Sequence, residues 1–152
     1  AKTAFPLVLA LIALPLMLRS LRPEARIGAG AALFALPLLA AAALWLWTFT
    51  HTAPPARFVD VGMLSLAECM GLILAISALP AWATLRLIMR GASLHPARTG
   101  ALAGLAVSAE AASFYSLFCT QDNPLFYLTW YGTAMALVTA AGAVLGARLL
   151  RW

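Results

Sequence analysis

Residues 4–18 read AFPLVLALIALPLML, an apolar run that stops at the arginine-containing stretch RSLRPEAR of residues 19–26. A helix drawn through this run is apolar on every face, which is typical of a helix surrounded by lipid and not of an amphipathic surface helix. The rest of the chain repeats this alternation of long apolar runs with short charged or proline-containing connections. The sequence therefore predicts an all-α, polytopic transmembrane helix bundle.

Composition supports the same fold class. Of the 152 residues, 64% are hydrophobic and only 10% are charged, and the mean hydropathy is +0.94, whereas soluble domains carry about 25% charged residues. A spanning helix takes about 20 residues, so the chain has room for four or five spans and no separate soluble domain. We expect a single transmembrane domain over residues 1–152.

The connections define where the helices end. Two consecutive prolines, Pro54 and Pro55, deny the backbone a helical continuation, and Asp122, Asn123 and Pro124 supply turn chemistry near the C-terminus. Five spanning helices are predicted, at about residues 3–18, 27–49, 64–85, 99–118 and 125–147.

The positive charges predict the orientation, because Lys and Arg accumulate in the short cytoplasmic loops of membrane proteins. One side of the predicted bundle carries Arg19, Arg22, Arg26, Arg86, Arg90, Arg98, Arg148 and Arg151. The other side carries only Lys2 and Arg57. The C-terminus is therefore predicted to be cytoplasmic and Ala1 periplasmic, in a bacterial inner membrane. With five helices, the N-terminus of this chain lies outside, so we expect a sixth helix upstream of Ala1 in the natural protein. We interpret the first apolar run as a segment of that longer protein and not as a signal peptide.

The net charge of +5 and the pI near 10 raise the question of a nucleic-acid partner. The arginines lie in pairs and triplets at helix ends, with no nucleic-acid-binding module, so anionic lipid headgroups are the predicted partner and nucleic acid is not. Small residues recur every four positions at Gly100, Gly104, Ser108 and Ala112, and again at Gly142 and Gly146. This pattern predicts close helix contact, within one protomer or in a homo-oligomer.

The two cysteines, Cys69 and Cys119, are predicted at similar depth. At 1.5 Å per residue, Cys69 lies roughly 25 Å from Arg86, and Cys119 lies roughly 31 Å from Arg98. Both distances place the thiols near the outer face of a hydrocarbon core about 30 Å thick. They are either inert packing residues or a functional pair, and a disulfide would require their Cα atoms to come within about 7 Å.

Two carboxylates, Glu68 and Glu110, fall inside predicted helices. Glu68 is predicted near the outer interface, where it reaches headgroups or water. Glu110 is predicted in the middle of the bilayer, where a carboxyl group has to be protonated, hydrogen-bonded or facing a wet cavity. It supports an alternative function, a small membrane transport or assembly subunit in which Glu110 acts and the cysteines are structural.

Motifs for catalysis and metal binding are absent from the sequence. It contains no H-E-x-x-H, no G-x-S-x-G and no phosphate-binding loop, and its cysteine spacing matches no metal signature. His51 and His95 are predicted on opposite sides of the membrane. We therefore predict no enzyme, no catalytic residue, no cofactor and no metal; a thiol oxidoreductase is disfavoured because there is no Cys-x-x-Cys.

Four stretches carry a resemblance to a known family. They are LRPEARIG at residues 21–28, RGASLHPARTGALAGL at 90–105, FYSLFCTQDNPLFYLTWYG at 114–132 and GARLLRW at 146–152. Together with the two separated cysteines, they make the chain resemble the NrsF-type membrane anti-sigma factors over nearly its whole length. The most specific part is the Cys-x-x-Asp-x-Pro turn that leads into Trp130 and Tyr131.

The resemblance implies a six-helix inner-membrane protein whose cytoplasmic N-terminal segment holds an extracytoplasmic-function sigma factor inactive. That segment would lie outside this chain. Thiol, metal or oxidative stress in the periplasm would be sensed through Cys69 and Cys119. Asp122, Pro124, Trp130 and Tyr131 would shape the outer turn around the second thiol.

Overall fold

The structure, a computed structural model, describes residues 2–22, 28–58, 63–91 and 93–150. Over these residues it consists of helices joined by turns, without a β-strand, so the predicted all-α class is confirmed. Five α-helices run in chain order, α1 Ala4–Ser20, α2 Ala35–His51, α3 Met63–Ile88, α4 Pro96–Phe118 and α5 Pro124–Leu149. A short 3-10 segment, Gly28–Phe34, leads directly into α2, and a second, Pro54–Ala56, follows it.

Four of the described helical stretches are long and apolar enough to cross a membrane, namely Gly30–His51, Ala67–Ile88, Pro96–Phe118 and Pro124–Leu149. The predicted number of five spanning helices is therefore slightly high. The exception is α1, whose 17 residues measure about 25 Å at 1.5 Å per residue. This length falls short of a hydrocarbon core of about 30 Å. The chain is polytopic all the same, and its apolar helices indicate a membrane protein.

The central element is α4, which contacts α1, α3 and α5. Small residues make this possible, since about half of α4 is buried and its buried positions are Ala, Gly, Ser, Thr and Val. Along α5, the backbone of Gly142 lies directly against Gly100, and the backbone of Gly146 against Pro96 and Gly100. The predicted small-residue pattern therefore serves helix contact within one protomer.

Two apolar clusters divide the core between the two ends of the bundle. At one end, Met17, Ile88, Ala103 and Leu150 pack together. At the other, a larger cluster surrounds Cys69, Tyr127 and Tyr131. We call the first the arginine end, because the helix ends beside it carry Arg19, Arg22, Arg86, Arg90, Arg98 and Arg148, and the second the thiol end.

The grouping of arginines at one end agrees with the loop alternation expected from the sequence. Arg26 and Arg151 belong to the predicted set but lie outside the described residues, as does residue 27, the predicted start of the second helix. Lys2 and Arg57 lie at the thiol end, where they contact Cys119 and Asn123. Which end faces the cytoplasm stays a prediction.

The most loosely attached element is α2. None of its residues is buried, and its polar link to the bundle is a hydrogen bond of 3.0 Å from Trp45 Nε1 to Thr129 Oγ1 on α5. An apolar cavity of about 280 Å³ lies between α1, α2 and α5. The core is therefore built by α1, α3, α4 and α5.

Candidate functional site: the thiol and tyrosine cluster

The thiol end brings the two cysteines together from different helices. Cys69 lies on α3 and is only 4% exposed, whereas Cys119 is the first residue after α4 and is half-buried against the same apolar cluster. Both thiols are free, and both side chains belong to one apolar cluster, with Cys69 inside it and Cys119 packed against it. The sequence could predict similar depth but not this proximity, which depends on how α3 and α4 are rotated.

Two tyrosines complete the cluster. The Tyr115 hydroxyl and Cys69 Sγ form a hydrogen bond of 3.0 Å, and the rings of Tyr115 and Tyr131 meet edge to face with centroids 5.8 Å apart. Tyr131 is fully buried. Its hydroxyl lies near Cys119 yet has no hydrogen-bond partner within the described ranges. Two thiols and two phenols therefore share one small polar region inside an apolar core.

Sequence reasoning selected Tyr131 but missed Tyr115. The signal was available, because Tyr115 precedes Cys119 by four residues and therefore lies on the same face of α4, one turn before it. The backbone N–H of Cys119 donates to the Tyr115 carbonyl at 3.0 Å, which closes the last turn of the helix. The thiol is thus fixed at a helix end, where the chain changes direction.

The outer turn is ordered by the residues that precede α5. Asn123 is the N-cap, and its Oδ1 accepts a hydrogen bond from the Leu125 N–H at 3.0 Å. Pro124 occupies the first helical position, where its missing N–H costs nothing. The other side of the Asn123 amide donates to the Arg57 carbonyl at 3.2 Å, so one side chain connects the turn to the α2–α3 connection.

Replacing Asn123 by Ala removes both contacts and is expected to lower the free energy of unfolding by about 1 kcal/mol, as for other N-cap losses. The thermal midpoint in detergent measures this. Asn123→Asp keeps the capping oxygen and should retain most of the stability, while Thr120→Ala, at an exposed position of the same turn, serves as the matched control. An Asn123→Ala midpoint equal to that of the control would contradict the capping role.

The start of α1 is tied to the same turn. Lys2 Nζ donates to the Cys119 carbonyl at 2.6 Å and pairs with Asp122 Oδ1 at 2.7 Å. Ser116 Oγ donates to Thr3 Oγ1 at 2.8 Å. Because the Asp122 side chain is 80% exposed, its ion pair contributes little stability, on the order of 0–1 kcal/mol. Together these contacts attach the start of α1 to the turn, so a displacement of Cys119 also displaces the start of α1.

The remaining predicted residues lie around or away from the cluster. Trp130 is half-buried and packs against it, and Glu68 is exposed beside Cys69. Glu110 is exposed on the outer surface of α4 and does not enter the thiol and tyrosine cluster. Within the described ranges, no group of three or more His, Cys, Asp or Glu side chains is arranged to hold a metal ion.

Comparison with known proteins gives these residues a family. The model of the family described as "NrsF: Negative regulator of sigma F" matches residues 1–152. The chain belongs to this family. The resemblance inferred from the four sequence stretches is therefore confirmed, and the thiol and tyrosine cluster is a feature of a negative regulator of the NrsF family.

One named protein is similar to almost the whole of this chain. It is named "Probable anti-sigma-F factor NrsF" and comes from Azospira oryzae; the two are 31% identical over 156 residues, which cover 99% of this chain and 71% of the relative. No solved structure matches the chain. Membership places the chain among anti-sigma regulators.

Proposed function

We propose that this chain is the membrane sensor part of an anti-sigma factor that holds an extracytoplasmic-function sigma factor inactive and releases it under periplasmic thiol or oxidative stress. Family membership supports the regulatory role. The observation that carries the sensing role is the meeting of Cys69 and Cys119, from different helices, beside two phenol groups.

The two thiols differ in a way that suits a two-step oxidation. Cys119 is half-buried and lies at a helix end, whereas Cys69 is buried. A peroxide first oxidises the Cys119 thiol to a sulfenic acid and is itself reduced to water. The Cys69 thiol then attacks that sulfur, a disulfide forms and a second water leaves. Two thiols thus lose two electrons and two protons in total to one peroxide.

The polar contacts of the outer turn supply a route from the thiols to the rest of the protein. Closing a bond between Cys69 and Cys119 pulls the turn toward α3. Lys2 holds the Cys119 carbonyl and Thr3 holds Ser116, so the start of α1 moves with the turn. In this proposal, α1 carries the signal toward the side on which the sigma factor is bound.

Orientation follows from the charges. The arginine end faces the cytoplasm by the tendency of Arg to stay on that side, and the thiol end faces the periplasm, an oxidising compartment in which disulfides persist. The sigma factor is bound on the cytoplasmic side. The protein is a multi-pass protein of the bacterial inner membrane and acts by binding, not by catalysis.

A reporter strain tests the proposal. Deleting the gene in its natural host is expected to raise sigma-dependent transcription to a constitutively high level, and restoring the full-length protein should return it to the basal level. Adding a thiol oxidant that does not cross the inner membrane should then raise transcription again. High transcription in the absence of stress despite the restored protein would contradict the anti-sigma role, whereas repression that the oxidant cannot relieve would contradict only the sensing role.

A further inference from the structure

The feature that carries a further inference is an apolar groove between α3, α4 and α5, toward the arginine end. Its volume is about 210 Å³, and its walls include Ala78, Trp82, Gly104, Val138, Ala141 and Leu145. All the residues that line it are apolar or glycine. It lies on the opposite half of the bundle from the thiol and tyrosine cluster, so the proposed sensing function does not use it.

The groove exists because α4 and α5 meet backbone to backbone. Where Gly100 and Gly104 touch α5, the two glycines supply no side chain to fill the space beside α3. The groove is open sideways, since Ala78 and Ala141 are exposed and Trp82 is 57% exposed. In a membrane, its opening therefore faces lipid.

Two arginines follow the lining residues along α3 and α5, toward the arginine end. Arg86 follows Trp82 by one helical turn, and its guanidinium carbon lies 5.2 Å from the centre of the Trp82 ring. Arg148 follows Leu145 by three residues, so it continues the same face of α5. Both are exposed. Because α3 and α5 each run toward the arginine end, an apolar slot about 10 Å long, seven residues at 1.5 Å each, leads to a pair of positive charges.

We propose that this groove binds one anionic phospholipid of the bilayer, with an acyl chain in the slot and the phosphate between Arg86 and Arg148. Guanidinium groups bind phosphate oxygens through paired, charge-assisted hydrogen bonds. The acyl chain gains no hydrophobic free energy, because the membrane interior is already apolar. Selectivity for this site therefore comes from the headgroup charge, and the groove fixes the position of the chain.

The test measures retained lipid on the full-length natural protein by native mass spectrometry, after titration with phosphatidylglycerol or with phosphatidylcholine of the same acyl chains. Arg86→Gln and Arg148→Gln are each expected to weaken phosphatidylglycerol binding about five-fold, the equivalent of ~1 kcal/mol per arginine. They should weaken phosphatidylcholine binding less, because its choline group offsets the phosphate charge. Arg86→Lys keeps the charge and should lose less.

Arg57→Gln is the matched control, because Arg57 also lies over an aromatic ring, 3.9 Å from the centre of Phe49, but at the thiol end. Ala141→Leu fills the slot from an exposed position and should weaken the binding of both lipids. The proposal is overturned if Arg57→Gln weakens phosphatidylglycerol binding as much as Arg86→Gln, if Ala141→Leu changes neither lipid, or if the natural protein retains no phosphatidylglycerol. Size-exclusion elution and helical circular dichroism establish that each variant is folded.

Discussion

Replacing either Cys69 or Cys119 by Ser in the full-length protein is expected to abolish induction by an external thiol oxidant, so that sigma-dependent transcription stays at the uninduced level. A disulfide needs both sulfur atoms, so each single replacement should have the full effect. Repression without stress should be intact. Serine is close to cysteine in size, and a hydroxyl at position 69 can keep a hydrogen bond to Tyr115, which now bonds Cys69 Sγ at 3.0 Å.

Two control variants separate a loss of chemistry from a loss of structure. Glu110→Gln changes an exposed carboxylate that lies outside the cluster and should leave both repression and induction unchanged. Tyr115→Phe removes the hydroxyl beside Cys69 and keeps the ring that meets Tyr131, so repression should be retained. Full induction in Cys69→Ser would contradict thiol sensing. Loss of a transport flux in Glu110→Gln, with repression and induction intact, would favour the transport or assembly alternative.

Replacing Gly100 or Gly142 by Ala is expected to destabilise the protein by about 3 kcal/mol, the upper part of the range for overpacked cores. An added Cβ at Gly100 would overlap the Gly142 carbonyl oxygen, and one at Gly142 would overlap the Gly100 carbonyl oxygen. Both obstacles are backbone atoms, which cannot rotate away as a side chain can. The two helices would have to separate and lose contact along their length.

Two glycines in uncrowded positions, one on α3 and one on α5, provide matched controls. A Cβ added at Gly71 on α3 or at Gly132 on α5 meets nothing within 4 Å. Gly71→Ala and Gly132→Ala should therefore be neutral or stabilising, because Ala in a helix interior is favoured over Gly by roughly 0.5–1 kcal/mol. Thermal midpoints and the fraction of folded protein in detergent measure the difference. Equal midpoints for Gly100→Ala and Gly71→Ala would show that the helices do not touch at Gly100.

Sequence alone predicted the helices well, because hydrophobicity over 20 residues is a one-dimensional signal. It also predicted close contact from the glycine spacing, and it identified the family. Its span count was slightly high: the first helix was predicted at residues 3–18 and is found at Ala4–Ser20, so its length was predicted correctly, and the error was to count so short a helix as a span.

The candidate site was less accessible to prediction. Depth along a helix follows from counting residues, so Cys69 and Cys119 could be assigned to one end. Rotation about the helix axis does not follow from counting, and it decides that Tyr115 bonds Cys69 while Glu110 faces outward. The contact of Lys2 with Cys119 joins residues 117 positions apart, and no local pattern carries that information.

The direct backbone contact between α4 and α5 has a mechanical consequence. No layer of side chains separates these helices at Gly100 and Gly142, so the hairpin they form has nothing compressible inside it and cannot absorb a shift by sliding. Cys119 belongs to the connection of that hairpin. If its sulfur is drawn toward Cys69, the turn moves while α4 and α5 stay fixed against each other, and the start of α1 moves with the turn. The closely packed part of α4 and α5 would then be the fixed reference, and the signal would be the displacement of the turn and of α1 relative to it.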